Sequence, residues 1–103
     1  MSFGQLIAAA RKKLNLSQKE LALVIVKEDG EPISPQYLND LEHERRNPPS
    51  DFLLRQFSSA LKIDLDVLYY HAGEMPADIR GKEVTDEKVK EAYKAFRKKL
   101  EED

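Results

Sequence analysis

The sequence predicts an all-α fold, and three of its features support that prediction. Side chains that cap helix N-termini recur along the chain, each just before a segment with helical spacing. Within those segments, apolar residues return every three or four positions, as one buried helix face requires. Five such helices fall within the first 72 residues, which leaves no room for a sheet.

The caps define where each predicted helix begins. Ser2 and Gln5 form a capping box for the first helix, which runs to about Leu14, and Asn15 suits the left-handed residue that ends it. The later helices open at Ser17 with Glu20, at Ser34 with Pro35, and at Ser50, Asp64 and Thr85. We expect the last four of these to span about 34–43, 51–61, 65–71 and 85–101.

The chain divides into three predicted parts. Residues 1–72 form one compact domain, and residues 73–84 form a linker or wrapped loop because glycine and proline interrupt the pattern. Residues 85–101 form a final charged helix with a single apolar stripe. That stripe must pack either against the preceding domain or against a second chain, and the sequence leaves both arrangements open. Its members are Val89, Ala92, Tyr93, Phe96 and Leu100.

Composition excludes several classes of protein. There is no cysteine, so no disulfide and no thiolate metal site is expected. His43 and His71 have no further ligands at metal-binding spacing, and the chain has neither a glycine-rich phosphate loop nor a nucleophile motif. We therefore expect no metal, no cofactor and no enzymatic activity. Without a signal peptide or a long apolar segment, a cytoplasmic protein with no membrane contact is predicted.

The segment 16–48 is the most informative part of the chain. It holds two short capped helices, the second polar on its outer face, followed by a basic turn and a proline. From about Phe3 to Tyr70 the sequence resembles the Cro/repressor-type helix-turn-helix family (the Xre family) of bacterial and phage transcription regulators. The resemblance rests on Gln18, Leu21 and Ala22, on Ile33, Leu38, Leu41 and Glu42, on Arg45-Arg46-Asn47-Pro48, and on Leu61, Ile63 and Leu68. It implies a five-helix lambda-repressor-like domain, followed here by one C-terminal amphipathic helix.

The chain departs from the family pattern in two places. The connection between the motif helices is roughly six residues longer than the usual short turn. Within it, Asp29-Gly30 predicts a protruding loop or ribbon. Because this loop, residues 27–32, carries three acidic side chains, we expect it to face away from a DNA duplex or to meet a partner. Glu44 stands where the family places a helix-ending glycine, so the second motif helix is expected to run on or to fray there.

The resemblance also implies which residues contact DNA. Base contacts are expected at the outward positions of helix 34–43, since glutamine and asparagine can each make paired hydrogen bonds to adenine. These positions are Pro35, Gln36, Tyr37 and Asn39. Phosphate contacts are expected from Gln18, Lys19, Arg11, Arg45, Arg46 and Asn47. The alternative interpretation is that the same side chains form an ordinary solvated helix and a solvated basic turn.

These observations predict a sequence-specific DNA-binding transcription regulator, a homodimeric repressor that reads a palindromic operator through helix 34–43 in the major groove. The alternative is an antitoxin or protein-interaction module that uses the acidic loop 27–32 or the C-terminal helix to hold a protein partner. Double-stranded DNA is thus the first expected partner and a second copy the next. Because the net charge is -2, DNA affinity must come from local clusters and should depend on salt.

Overall fold

A computed structural model describes residues 1–102, and in that range it contains six α-helices and no β-strand, as the sequence predicts. Their N-terminal ends follow the predicted caps, so the all-α expectation is confirmed. The helices are α1 (Phe3–Lys13), α2 (Gln18–Val24), α3 (Pro35–Glu42), α4 (Asp51–Leu61), α5 (Leu65–Ala72) and α6 (Asp86–Glu101).

The predicted caps are formed. In the capping box of α1, the Gln5 N–H donates to Ser2 Oγ at 3.2 Å and the Ser2 N–H donates to Gln5 Oε1 at 2.9 Å. A second box joins Ser17 and Glu20 in the same way. Each cap satisfies N–H groups that no helical carbonyl can reach, which stabilises a helix by about 1 kcal/mol. Single side-chain caps open the remaining helices, at Ser34, Ser50, Asp64 and Thr85.

The first helix ends as predicted. Asn15 adopts a left-handed conformation with φ of 58°. The Asn15 N–H donates to the Lys12 carbonyl at 2.9 Å, and the Leu16 N–H donates to the Arg11 carbonyl at 3.1 Å. This pair of bonds is the Schellman arrangement, which satisfies free carbonyls at a helix end. It turns the chain at once into α2, so the two helices are joined by a short, defined corner.

The five helices α1–α5 enclose one hydrophobic core. Helix α1 lies at its centre, against α3, α4 and α5, and α2 packs on α3. The core therefore holds the two motif helices, α2 and α3, in a fixed orientation to each other. Its buried members are Phe3, Ile7, Leu21, Ala22, Ile25, Ile33, Leu38, Leu41, Leu54, Phe57, Leu61, Leu68 and Tyr69.

The segment 73–84 wraps against the start of α4. The Arg80 guanidinium donates to both carboxylate oxygens of Asp51, at 3.0 and 3.1 Å, and to the Met75 carbonyl at 2.7 Å. The hydroxyl of the buried Tyr69 donates to the same carboxylate at 2.8 Å. These contacts join Arg80 of the segment to the first residue of α4.

Asp51 gives this contact a pH dependence. The hydrogen bond from Arg80, followed by that from Tyr69, holds the pKa of the Asp51 carboxyl below its usual range. A carboxyl with a lowered pKa contributes stability above its unfolded pKa of about 4, and that contribution is lost as the pH falls through the folded value. We expect Asp51→Asn to be less stable than the wild type near pH 7, with the gap narrowing toward about pH 3. Urea unfolding at several pH values measures this gap, and a constant gap would contradict the assignment.

Helix α6 extends from the domain with its apolar stripe partly exposed. None of its residues is buried. Its contact with the domain includes the aromatic pair Tyr70–Phe96, whose ring centroids are 6.4 Å apart. The Tyr70–Phe96 pair is a contact with the preceding domain, and contact of the stripe with a second chain stays a prediction. No helix within residues 1–102 combines the length and apolar content that a bilayer crossing needs.

Candidate nucleic-acid interface

Helix α3 presents its N-terminal turn to solvent and its opposite face to the core. Leu38 and Leu41 are buried, whereas Pro35 and Gln36 are exposed. The Ser34 hydroxyl accepts from the Tyr37 N–H at 3.0 Å, which fixes the start of the helix. Polar side chains at the start of a surface helix can enter a major groove while its apolar face holds the helix in place.

Tyr37 and Arg46 form a pair beside that N-terminus. Tyr37 is half-buried, and the Arg46 guanidinium lies 5.7 Å from the centre of its ring. Burial raises the pKa of the Tyr37 hydroxyl, and the nearby Arg46 charge opposes the shift. The hydroxyl is therefore protonated at neutral pH and can donate a hydrogen bond. The structure thus brings one predicted base contact against one predicted phosphate contact.

Asn39 is bonded at both ends of its amide. Its Nδ2 donates to Gln18 Oε1 at 3.3 Å, and its Oδ1 accepts from Arg45 Nη2 at 2.8 Å. Three side chains that the sequence places at a DNA interface, from α2, α3 and the following loop, are therefore linked by hydrogen bonds. Gln36 is tied within its own helix, since its Nε2 donates to Asp40 Oδ1 at 3.0 Å.

The network continues inward to a buried ion pair. Arg11 on α1 donates from Nε and Nη2 to the two carboxylate oxygens of Glu42, at 2.7 and 2.9 Å, and from Nη1 to the Leu16 carbonyl at 2.9 Å. Glu42 also accepts from Gln18 Nε2 at 3.0 Å. Arg11 is 8% exposed, and all three nitrogens of its guanidinium already donate hydrogen bonds within the protein. This geometry does not fit the phosphate contact predicted for Arg11, and we propose a structural role for it instead.

Asp40 holds the basic turn against α3. Its carboxylate lies 3.2 Å from Arg45 Nε and 3.9 Å from Arg46 Nε. The hydrogen bond from Arg45 lowers the pKa of Asp40, and Gln36 and the charge of Arg46 add to the effect. Asp40 is therefore ionised at neutral pH and keeps both guanidinium groups near the exposed face of the helix.

The end of α3 differs from the expectation for Glu44. Instead of running on or fraying, the helix stops in a Schellman arrangement, with Glu44 at φ of 61° and the Arg45 N–H donating to the Asp40 carbonyl at 2.8 Å. The physical reason is a distant contact. The Glu44 carboxylate accepts from the Gly4 N–H at the start of α1, at 2.7 Å. The predicted fraying is therefore wrong, and Arg45 leaves α3 in a defined direction.

Two substitutions at Glu44 should separate its backbone strain from its hydrogen bond. Glu44→Ala keeps a left-handed non-glycine residue and loses the bond to Gly4, which should cost about 1.5 kcal/mol. Glu44→Gly loses the same bond but removes left-handed strain of about 1 kcal/mol, so its stability should lie close to that of the wild type. Urea denaturation followed by circular dichroism measures both variants. Equal losses in the two would show that the strain at this position is negligible.

The connection between α2 and α3 forms a ribbon. An isolated antiparallel bridge joins Val26 to Pro32, and the Lys27 N–H donates to the Glu31 carbonyl at 2.8 Å. Its base is fastened to α4, because the Gln56 amide bonds both the N–H and the carbonyl of Val26. The protruding ribbon predicted from the Asp29-Gly30 dipeptide is thus observed. The contact of Gln56 with Val26 could not be predicted from the sequence, because no local pattern indicates a partner 30 residues away.

The remaining candidates lie at the surface. Lys19 and Asn47 are exposed and Gln18 is half-buried. His43 Nδ1 lies 2.8 Å from the Asn39 carbonyl, one helical turn away, and His71 Nδ1 lies 3.1 Å from the carbonyl of Met1 at the start of the chain. Residues 1–102 contain no cluster of histidine and carboxylate side chains placed to hold a metal ion.

Comparison with known families identifies the family to which this arrangement of helices belongs. A family model described as helix-turn-helix matches residues 7–68, which is more than half of the chain. The chain belongs to the Cro/repressor-type helix-turn-helix family. The matched region begins within α1 and ends within α5, so it contains both motif helices of this helix-turn-helix protein.

A solved structure agrees on the fold. A chain of the SinR protein/SinI protein complex is similar with a TM-score of 0.55 and 23% identity, over 94% of this chain and 98% of that chain. No curated protein matches. Family membership makes this helix-turn-helix protein a DNA-binding transcription regulator, and α3 occupies the place of the second motif helix.

Proposed function

We propose that this chain is a homodimeric repressor that occupies a palindromic operator with α3 in the major groove. The observation that carries the proposal is the set of side chains around α3. Gln36 stands exposed at its start, Asn39 is joined to Gln18 and Arg45, and Arg46 lies against Tyr37. Groups suited to bases and groups suited to phosphate are thus arranged side by side on one surface.

For the Asn39 amide to contact a base, its hydrogen bonds to Gln18 and Arg45 must first break. Gln18 and Arg45 hold the two ends of its amide in the free protein. We propose that on DNA both turn to phosphate oxygens, which frees the Asn39 amide for adenine, while Gln36 reads a neighbouring base. Pro35 and Tyr37 then lie along the groove, where they contact thymine methyl groups or sugars. Lys19, Arg46 and Asn47 supply the further phosphate contacts.

We propose that the dimer forms through α5 and that its two copies of α3 enter successive major grooves. Val67 is 42% exposed and Tyr70 is 62% exposed, which is unusual for large apolar and aromatic side chains on a short helix. A two-fold contact there is self-complementary by symmetry. Half-sites would then lie about one helical turn apart. A repressor needs no more than this, since occupying the operator excludes other proteins.

Selection from a random duplex pool at near-physiological salt tests the proposal. We expect enrichment of a palindrome whose half-sites are about ten base pairs apart. A single enriched half-site would contradict the dimer and keep the base contacts. No enrichment by folded protein would contradict sequence-specific recognition, and would favour the alternative of a protein-interaction module that uses the ribbon 27–32 or α6.

Arg46→Ala should weaken binding to every DNA sequence alike. A phosphate contact contributes no sequence information, and its loss should lower the slope of log affinity against log salt by about one. Fluorescence anisotropy with the selected operator and with random duplex, each over a salt series, measures the slope. Lys94→Ala is the matched control, because it removes one positive charge from α6 and should leave the slope unchanged. A change of sequence preference in Arg46→Ala would contradict the phosphate assignment.

A further inference from the structure

Helix α6 carries an apolar face that its own domain covers only in part, through the contact of Phe96 with Tyr70. The large side chains of its stripe are 39–62% exposed, although a helix with one apolar face normally buries it. They follow one another at intervals of four, three and four residues, which is the spacing of a helix-to-helix seam. These side chains are Val89, Tyr93, Phe96 and Leu100.

The border of this stripe is basic. At 3.6 residues per turn, Lys88 and Lys99 flank it on one side and Lys90 and Arg97 on the other. Asp86, in the first turn, and Glu101, in the last turn, are the acidic exceptions on the border. The helix as a whole has six basic and four acidic residues, whereas the whole chain has a net charge of -2. The face therefore combines apolar contacts with a positive rim.

A second copy of α6 would fit this face poorly. Antiparallel pairing could align Val89 with Leu100 and Tyr93 with Phe96. It would also set Lys90 against Arg97 and bring Lys88 near Lys99, at two symmetry-related places each. Like charges placed opposite each other are destabilising. Parallel pairing would bring the basic last turns of both helices together.

An acidic partner fits the same face well. We propose that α6 binds an amphipathic helix of another protein, one whose apolar stripe is bordered by glutamate and aspartate. The apolar seams would bury each other, and the acidic rim would meet Lys88, Lys90, Arg97 and Lys99. Rim charges of this kind contribute mainly to the rate of association and the choice of partner. Helix α6 shares no residue with the candidate interface on α2, α3 and the basic turn, although its Phe96 contacts Tyr70, which the dimer contact proposed for α5 also uses.

Two designed peptides of the same length as α6 test this proposal with the full chain and without DNA. Both carry leucine along a four-three seam, one with glutamate on the border and the other with lysine. In fluorescence anisotropy we expect the acidic peptide to bind at least about tenfold more tightly, with the difference shrinking as salt rises. The double variant Tyr93→Ser with Leu100→Ser should lose that binding. Lys94→Ser, on the opposite side of the helix, should keep it.

Reversing the charge of two border residues of α6 provides a second test of the proposal. Lys90→Glu with Arg97→Glu should transfer the preference to the basic peptide, while circular dichroism shows that α6 remains helical. Equal binding of both peptides by the wild type would overturn the acidic partner. Loss of self-association in Leu100→Ser, without peptide binding by the wild type, would assign the face to a second copy. Stripe-dependent binding to phosphatidylserine vesicles, again without peptide binding, would assign it to a membrane surface.

Discussion

Arg11→Ala is expected to lower the free energy of unfolding by about 3–5 kcal/mol, because it leaves a buried carboxylate without its charged partner. The Glu42 side chain is 3% exposed and takes two hydrogen bonds from Arg11. Water cannot replace those bonds without opening the contact between α1 and α3. Urea denaturation followed by circular dichroism measures the loss, which should appear as a large shift of the midpoint with little change in slope.

Two further variants identify the cause. Lys12→Ala, the exposed neighbour, should change stability by no more than about 0.5 kcal/mol. Arg11→Met combined with Glu42→Leu should recover most of the loss, since an apolar pair of similar volume removes the uncompensated charge. The recovered protein should still bind DNA more weakly, because Gln18 loses its anchor on Glu42. A loss in Arg11→Ala no larger than that in Lys12→Ala would show that the pair contributes nothing.

Local chemistry explains how much of the fold could be predicted from the sequence. A capping side chain acts on N–H groups two or three residues away, so its effect is visible in a short window. Ser34 followed by Pro35 predicted a helix over 34–43, and α3 spans Pro35–Glu42. Asn15 predicted a left-handed helix end for the same reason, because its short polar side chain tolerates that backbone.

The features that could not be predicted depend on residues far apart in the chain. Arg11 looked like any surface cation near a motif helix, and the partner that buries it lies 31 residues away. Glu44 looked like a misplaced helix end, and the N–H that stabilises it lies 40 residues away. That contact also requires Gly4 to be a glycine, since a Cβ there would lie 2.5 Å from the Leu41 and Glu42 carbonyl oxygens. Such pairs become visible only when α1 is placed against α3.

Gln36→Ala and Asn39→Ala should each weaken binding to the selected operator by about 1–3 kcal/mol and leave binding to random duplex nearly unchanged. The reason is that an amide contact to a base edge exists only when the correct base is present. Anisotropy titrations with both duplexes at one salt concentration give the two affinities. Ser59→Ala, an exposed polar side chain on α4, is the control and should change neither.

The two variants should differ in one respect, because their side chains have different partners in the free protein. Among the described contacts, the Gln36 side chain bonds only Asp40, which lies in the same helix. Removing the Gln36 side chain should therefore affect base recognition alone. Asn39 also bonds Gln18 and Arg45 in the free protein, so Asn39→Ala should in addition lower the free energy of unfolding by about 1 kcal/mol. Equal losses on operator and random duplex for both variants would contradict base recognition by α3. In that case the polar face of α3 would act as a phosphate-binding surface.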